Sequence, residues 1–245
     1  MINIMKHKYS IFLIFAVFSA MYYSLSFDGY DIDKGFLSVS TFLFAIFSGF
    51  FIARQGSRYS SIREKVASFD GDMQSIYRAF GHFGKEAQSK AAEIVKNHYQ
   101  PILESKEWDY SFTHKTSTIV SLSQLLEDEI GSQNLPSLKN AALGRIGIGL
   151  HDAQLNRKHL VALHQERIPR SQWVLTIILA AILLLTLSTI ASQGMVIASI
   201  IKGAFATAVI AVIMLLRQLD KLKLFEGMIG ESSAQDILDI MEGKK

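Results

Sequence analysis

The sequence predicts an all-α, four-span integral membrane protein with a helical cytoplasmic domain between spans 2 and 3. Three observations carry this expectation. Apolar residues make up 49% of the 245 residues, and they are gathered into long runs, the pattern of bilayer segments rather than of one soluble core. Between the second and third runs, apolar residues recur at helical spacing within a polar background. No stretch shows the strict alternation of a half-buried strand.

The first run, 11–27, follows Lys6-His7-Lys8. A basic start and an apolar core also describe a signal peptide. This run is long for one and lacks a small-x-small cleavage site before Phe27, so it reads as a retained span. Asp28, Asp31, Asp33 and Lys34 form a short loop, and 35–53 is the second span. This segment then runs without proline into a polar helix. There Tyr59, Ile62, Val66, Phe69, Met73, Ile76, Phe80 and Phe83 alternate at spacings of three and four, an a/d pattern. Pro101 is the latest point at which that helix ends, and Gly81 and Gly84 are earlier candidates for a bend.

Trp108, Tyr110 and Phe112 mark an aromatic connection. A helix over 116–130 presents Ile119, Leu122, Leu126 and Ile130 on one face, and residues 131–134 break it. Pro136 suits the first turn of the next helix, which buries Leu143, Ile146, Leu150, Ala153, Leu160 and Leu163, with Gly144 and Gly147 available for a close helix contact. Pro169 and Trp173 mark re-entry into the membrane. The third span is 174–191, Ser192-Gln193-Gly194 is a tight turn, and the fourth span is 195–216. A short amphipathic helix ends the tail, with Ser233 as N-cap and Ile237, Leu238, Ile240 and Met241 as its apolar face. The domains are therefore 1–53, 54–170, 171–217 and the tail 218–245.

Net charge is +3 with a sequence pI near 9.0, and the Lys and Arg residues flank the apolar runs. Lipid contact explains them without nucleic acid, and the positive-inside rule puts the soluble domain and both termini in the cytoplasm of a bacterial inner membrane. The chain has no cysteine, which excludes disulfides and thiolate chemistry. The seven histidines form no metal-ligand spacing and read as surface or core-edge residues. Glu127-Asp128-Glu129 reads as a solvated face. Gly144-Arg-Ile-Gly-Ile-Gly149 has no preceding strand, so a dinucleotide reading fails. No enzyme motif, cofactor or metal site is expected. Lys202 is the one charge well inside a span. It is either a possible ion-attracting residue or a lysine that snorkels to the nearer interface.

At 3.6 residues per turn the second span has three faces. Ala45, Gly49 and Ala53 form a small-residue ridge suited to helix packing in lipid. Thr41, Ser48 and Gln55 form a polar strip available to neighbouring helices, and Phe42, Ile46 and Phe50 form an apolar strip. Continued along the helix, the apolar strip becomes Ser57, Ser60, Glu64, Ser68 and Ser75. A line that is apolar at membrane depth and polar beyond fits a pore neck above a water-filled vestibule. It also fits a strip that simply faces lipid.

Phe47-Ser-Gly-Phe50, then Ala53, Arg58, Arg63 and Tyr77-Arg78, resembles the second-span signature of bestrophin anion channels and their bacterial relatives. Arg167-Ile-Pro-Arg-Ser-Gln-Trp173, Gln218-Leu-Asp-Lys221 and Phe225-Glu-Gly227 are similar to a bacterial bestrophin-like family. Tyr59-Ser60 stands where the pattern has Trp-Trp, Ser48 where it has Leu, and the acidic calcium clasp of the animal proteins has no counterpart. The resemblance implies a homo-oligomer, a pentamer, that conducts inorganic ions, chloride-like anions above all. Phe42, Ile46 and Phe50 would form its neck, and Ser57, Ser60 and Glu64 would face its vestibule. The alternative is a non-conducting, membrane-anchored interaction or signalling protein that uses the cytoplasmic helical domain.

Overall fold

A computed structural model describes residues 2–24, 34–114, 116–131, 137–190, 196–222 and 230–244. The Asp28–Asp31–Asp33 loop, the Pro136 helix start, the Ser192-Gln193-Gly194 turn and the Phe225-Glu-Gly227 stretch lie outside the described residues. Among the described residues every regular element is a helix: α1 (Ile2–Ser24), α2 (Lys34–Phe80), α3 (Lys85–Ser105), α4 (Tyr110–Thr113), α5 (Thr118–Ile130), α6 (Ser137–Gln165), α7 (Arg170–Ser188), α8 (Val196–Asp220) and α9 (Gly230–Met241). They sort into two compact units, Met1–Gly56 with Arg167–Lys221 and Ser57–Glu166 with Leu222–Lys245.

The first unit is the membrane unit. Among the described residues α2, α7 and α8 are long and apolar enough to cross a bilayer. The apolar part of α1, Ile11–Ser24, is shorter, because residues 25–27 of the expected first span lie outside the described residues. α7 fills the centre of the unit: Leu179, Ala180 and Leu183 pack with Phe44 of α2 and Val209 of α8, and Leu187 packs with Tyr22 of α1 and Ala206 of α8. α1 crosses α8 at Gly203, where a Cβ would meet the Ser19 hydroxyl and stand 2.9 Å and 3.0 Å from the Ser19 backbone nitrogen and Cα. The missing side chain lets the two backbones touch, the small-residue contact on which helix pairs in lipid rely.

The second unit has its own core. Ile62, Val66, Phe69, Met73, Ile76 and Phe80 of α2 are all buried in it, with Tyr59 partly so, so the a/d reading of α2 holds. α2 stops at Phe80 rather than continuing to Pro101. Gly81, His82 and Phe83 turn back onto the carbonyls of Arg78, Ala79 and Phe80 at 3.1, 3.1 and 3.0 Å. Gly84 then takes φ 132, a conformation open to glycine alone. Pro101 lies inside α3 instead of at a junction. Pro101 has no N–H to offer the Asn97 carbonyl, so α3 forgoes that bond one turn before its end, and α3 closes at Lys106 in the left-handed region with its N–H on the Ile102 carbonyl at 3.0 Å.

α6 runs antiparallel to α2. Gly149 faces Ile76, Asn156 donates to Ser68 and Asp72 at 3.0 and 2.9 Å, and the end of α6 reaches Arg58. The close contact is made by Gly149, where a Cβ would stand 2.9 Å from Ile76 Cγ1; Gly144 and Gly147, expected there, have nothing within 4 Å. All three glycines fall within a continuous helix.

α9 belongs to this core as well, with Ala234 and Ile237 buried in it. Ser233 is not an N-cap. It lies within α9 and donates to Asp70 Oδ2, while the Tyr99 hydroxyl donates to Asp70 Oδ1 at 2.6 Å. Burial pushes the Asp70 carboxyl up from its ordinary range, and the Ser233 and Tyr99 hydrogen bonds oppose that shift.

His98 corrects the surface reading of the histidines. It is 4% exposed, bonded through Nδ1 to Thr118 Oγ1 at 3.0 Å, and packed against Phe69 with ring centroids 5.3 Å apart. Burial, with the Arg157 charge adding to it, lowers its pKa from 6.5 to about 4.

Two outcomes are expected from these contacts. Gly203→Ala should destabilise the protein in detergent by about 1–3 kcal/mol, the cost of overpacking, read as a lower thermal midpoint. Adding Ser19→Ala should restore only part of the loss, because the backbone contacts remain. For His98, the unfolded chain takes up a proton below pH 6.5 that the folded chain refuses until about pH 4. Stability should therefore fall across that window on acidification, by on the order of 3 kcal/mol at its lower end. His98→Gln should flatten this dependence in pH-resolved unfolding.

Candidate functional site

The membrane-depth part of α2 separates into two faces. Phe44, Ser48, Phe51 and Gln55 are buried against the unit's other helices, with Phe47 packed partly among them. Phe42, Ile46 and Phe50 point away from the chain, 64%, 49% and 60% exposed. Ala45, Gly49 and Ala53 are exposed beside them, and a Cβ at Gly49 would meet nothing within 4 Å. Within the polar strip, Thr41 and Ser48 bond back along α2 itself. Thr41 donates to the Leu37 carbonyl and Ser48 to the Phe44 carbonyl, at 2.8 and 2.5 Å. A hydroxyl in an apolar medium finds its cheapest acceptor one turn back on its own helix.

In the second unit Ser57, Ser60 and Glu64 are exposed, as are Ser68 and Ser75. Glu64 is 3.9 Å from its neighbour Lys65, an exposed and therefore weak pair. Two residues away from this strip, Arg58 is 4% exposed. Its Nε donates to the Leu163 carbonyl at 2.7 Å and its Nη2 to the His164 carbonyl at 3.0 Å. A guanidinium with two donors in a fixed fork thus closes the C-terminal end of α6, where carbonyls lack partners and the helix dipole is negative. His164 in turn meets Asp109 at 3.0 Å.

Lys202 is 5% exposed. Its ammonium donates to the Ile190 carbonyl just past α7 and lies 5.6 Å from the centre of the Tyr22 ring. Inside this chain its charge is engaged by a carbonyl just past the end of α7 and by an aromatic face.

Two stretches singled out in the sequence come together in the membrane unit. Asp220 Oδ1 accepts the Ile168 N–H at 2.7 Å, and Arg167 donates to the Asp220 carbonyl. Asp220 thereby ties the entry to α7 to the end of α8. Pairs such as Asp220–Ile168 and Arg58–Leu163 are invisible to spacing arguments, because one partner is a backbone group far along the chain. Among the described residues no three His, Asp or Glu side chains come together as a metal site.

Arg58→Gln should lower the stability of the second unit by about 2–3 kcal/mol, since it removes charge-assisted bonds to two half-buried carbonyls at the end of α6. Arg58→Lys should recover only part of this, as a point charge cannot match both acceptors. Thermal unfolding monitored by circular dichroism checks both.

No curated protein and no solved structure gives a significant match to the chain. The bestrophin-like domain does match it, over residues 11–228. That span holds the Phe50–Arg58 spacing, the Asp220 tie and all three membrane-length helices, so the chain is a membrane protein that belongs to the bestrophin-like family.

Proposed function

We propose that the chain assembles into a homo-oligomeric ring, a pentamer, that conducts anions across a bacterial inner membrane, with α2 lining the passage. Four spans, with both termini and the helical unit in the cytoplasm, follow from the distribution of Lys and Arg around the apolar runs. The observation that carries the reading is the outward face of α2. Phe42, Ile46 and Phe50 are turned away from the chain's own helices, beside an exposed ridge of Ala45, Gly49 and Ala53. A small-residue ridge suits contact with a neighbouring subunit. With neighbours packed there, the apolar strip beside it turns to the ring's axis, where symmetry stacks three hydrophobic rings. Narrow apolar rings hold water poorly and oppose ion passage by dewetting. Ser57, Ser60 and Glu64, exposed on the same helix, give the aqueous vestibule. Lys202, held by the Ile190 carbonyl, serves as a structural cation rather than an ion-attracting one.

Purified protein in planar bilayers tests this. Phe42→Ala/Ile46→Ala/Phe50→Ala should raise conductance or open probability several-fold while the ring still assembles, because all three side chains are mostly exposed and only the edge contact of Phe50 with Phe51 is lost from the aromatic packing. Phe44→Ala/Phe47→Ala/Phe51→Ala should instead lose assembled protein, since each truncation of a buried Phe costs about 3–5 kcal/mol. A monodisperse monomer, or silent bilayers with intact wild-type rings, would favour the non-conducting interaction protein.

A further inference from the structure

Where α2 and α6 diverge beyond the Gly149–Ile76 contact, the second unit carries a cleft of about 240 Å³. Its wall on one side is Gly71, Gln74, Ser75 and Arg78 of α2 with His82 of the turn that follows, and Arg145 reaches in from α6. The lining contains two guanidiniums, an imidazole, a hydroxyl and a carboxamide, and no carboxylate. None of these five side chains hydrogen-bonds or ion-pairs within the described residues. Arg78 and Arg145 thus stand in a cleft that no carboxylate lines. Gly71 keeps the floor open, with nothing within 4 Å of where a Cβ would stand.

We propose that this cleft binds a phosphate-type oxyanion, held between the Arg78 and Arg145 guanidiniums. Two planar forks arriving from different helices match the tetrahedral oxygens of a phosphoryl group, each able to donate two parallel bonds. Ser75 and Gln74 supply neutral donors on one wall. A spherical halide has no use for fork geometry, and it would leave most of the volume empty. The space beyond a single phosphoryl group suits a phosphomonoester better than free inorganic phosphate. The same chemistry is carried by a soluble phosphomonoester and by a phospholipid headgroup. Bound anion would also relieve the repulsion between the two arginines and cross-link α2 to α6 at the end of the pair opposite Arg58. The proposal does not depend on whether the chain conducts.

Calorimetric titration of inorganic phosphate into the full-length protein in detergent, at constant ionic strength in sodium chloride, tests it. The wild type should show saturable binding in the millimolar range or tighter. Arg78→Gln/Arg145→Gln should weaken it at least tenfold, and Lys158→Gln, an exposed lysine elsewhere on α6, should not. Ser75→Glu, which places a carboxylate in the cleft without removing either arginine, should weaken it as strongly. No saturable heat in the wild type, or equal affinity in the arginine variants, overturns the proposal. Repeating the titration in nanodiscs assigns the source. Unchanged affinity in phosphatidic acid discs relative to phosphatidylcholine discs points to a soluble phosphoryl ligand. Loss of phosphate binding only in the phosphatidic acid discs points to a headgroup already in the cleft.

Discussion

The second unit depends on the hold that Arg58 takes on the end of α6. A buried guanidinium is costly unless its donors are met, and here the Leu163 and His164 carbonyls meet them at 2.7 and 3.0 Å. The Leu163 and His164 carbonyls lack helix partners because α6 ends there, and the guanidinium supplies donors to both. It fixes α6 antiparallel to α2 and sets its register. From that register follow the Asn156 bonds to Ser68 and Asp72, the Gly149 contact with Ile76 and the placement of Arg145 beside Arg78. The Arg eight residues after Phe50, noticed first as a family signature, is thus a helix clamp in this chain.

Much of the fold was legible because burial writes a period into the sequence. The Tyr59-to-Phe83 pattern gave the inner face of α2, and Ile146, Leu150, Ala153 and Leu160 gave that of α6. Apolar runs likewise gave α7 and α8 to within a few residues at each end. What failed were inferences from single residues. Pro101 was placed at a junction, yet α3 runs through it in spite of the backbone bond that the ring forgoes. Ser233 has the chemistry of a cap, but its hydroxyl answers Asp70, a partner 163 residues away. His98 sits in a polar stretch, and only the packing of α3 on Phe69 reveals it as a core residue.

The candidate site was legible by half. Helical arithmetic put Phe42, Ile46 and Phe50 on one strip, and all three are exposed on the chain's outer side. Periodicity carries no record of what lies opposite an exposed apolar strip, since lipid, a neighbouring subunit and a dewetted passage all select the same side chains. The Arg78–Arg145 cleft was not legible at all. Its residues come from helices whose pairing is fixed by a glycine contact and a backbone clamp, neither of which leaves a compositional trace.

The docking of α9 has a consequence for the order in which the chain is made. The second unit is discontinuous: Leu222, Ala234 and Ile237 complete a core whose other residues belong to Ser57–Glu166. Domains tend to fold as they leave the ribosome, earliest part first. Here α7 and α8 must be synthesised, and handed to the bilayer, before the last pieces of that core exist. Until then the groove that receives Ala234 and Ile237 stands open, with Asp70 lacking its Ser233 partner. The closure of that core therefore follows the synthesis of α7 and α8.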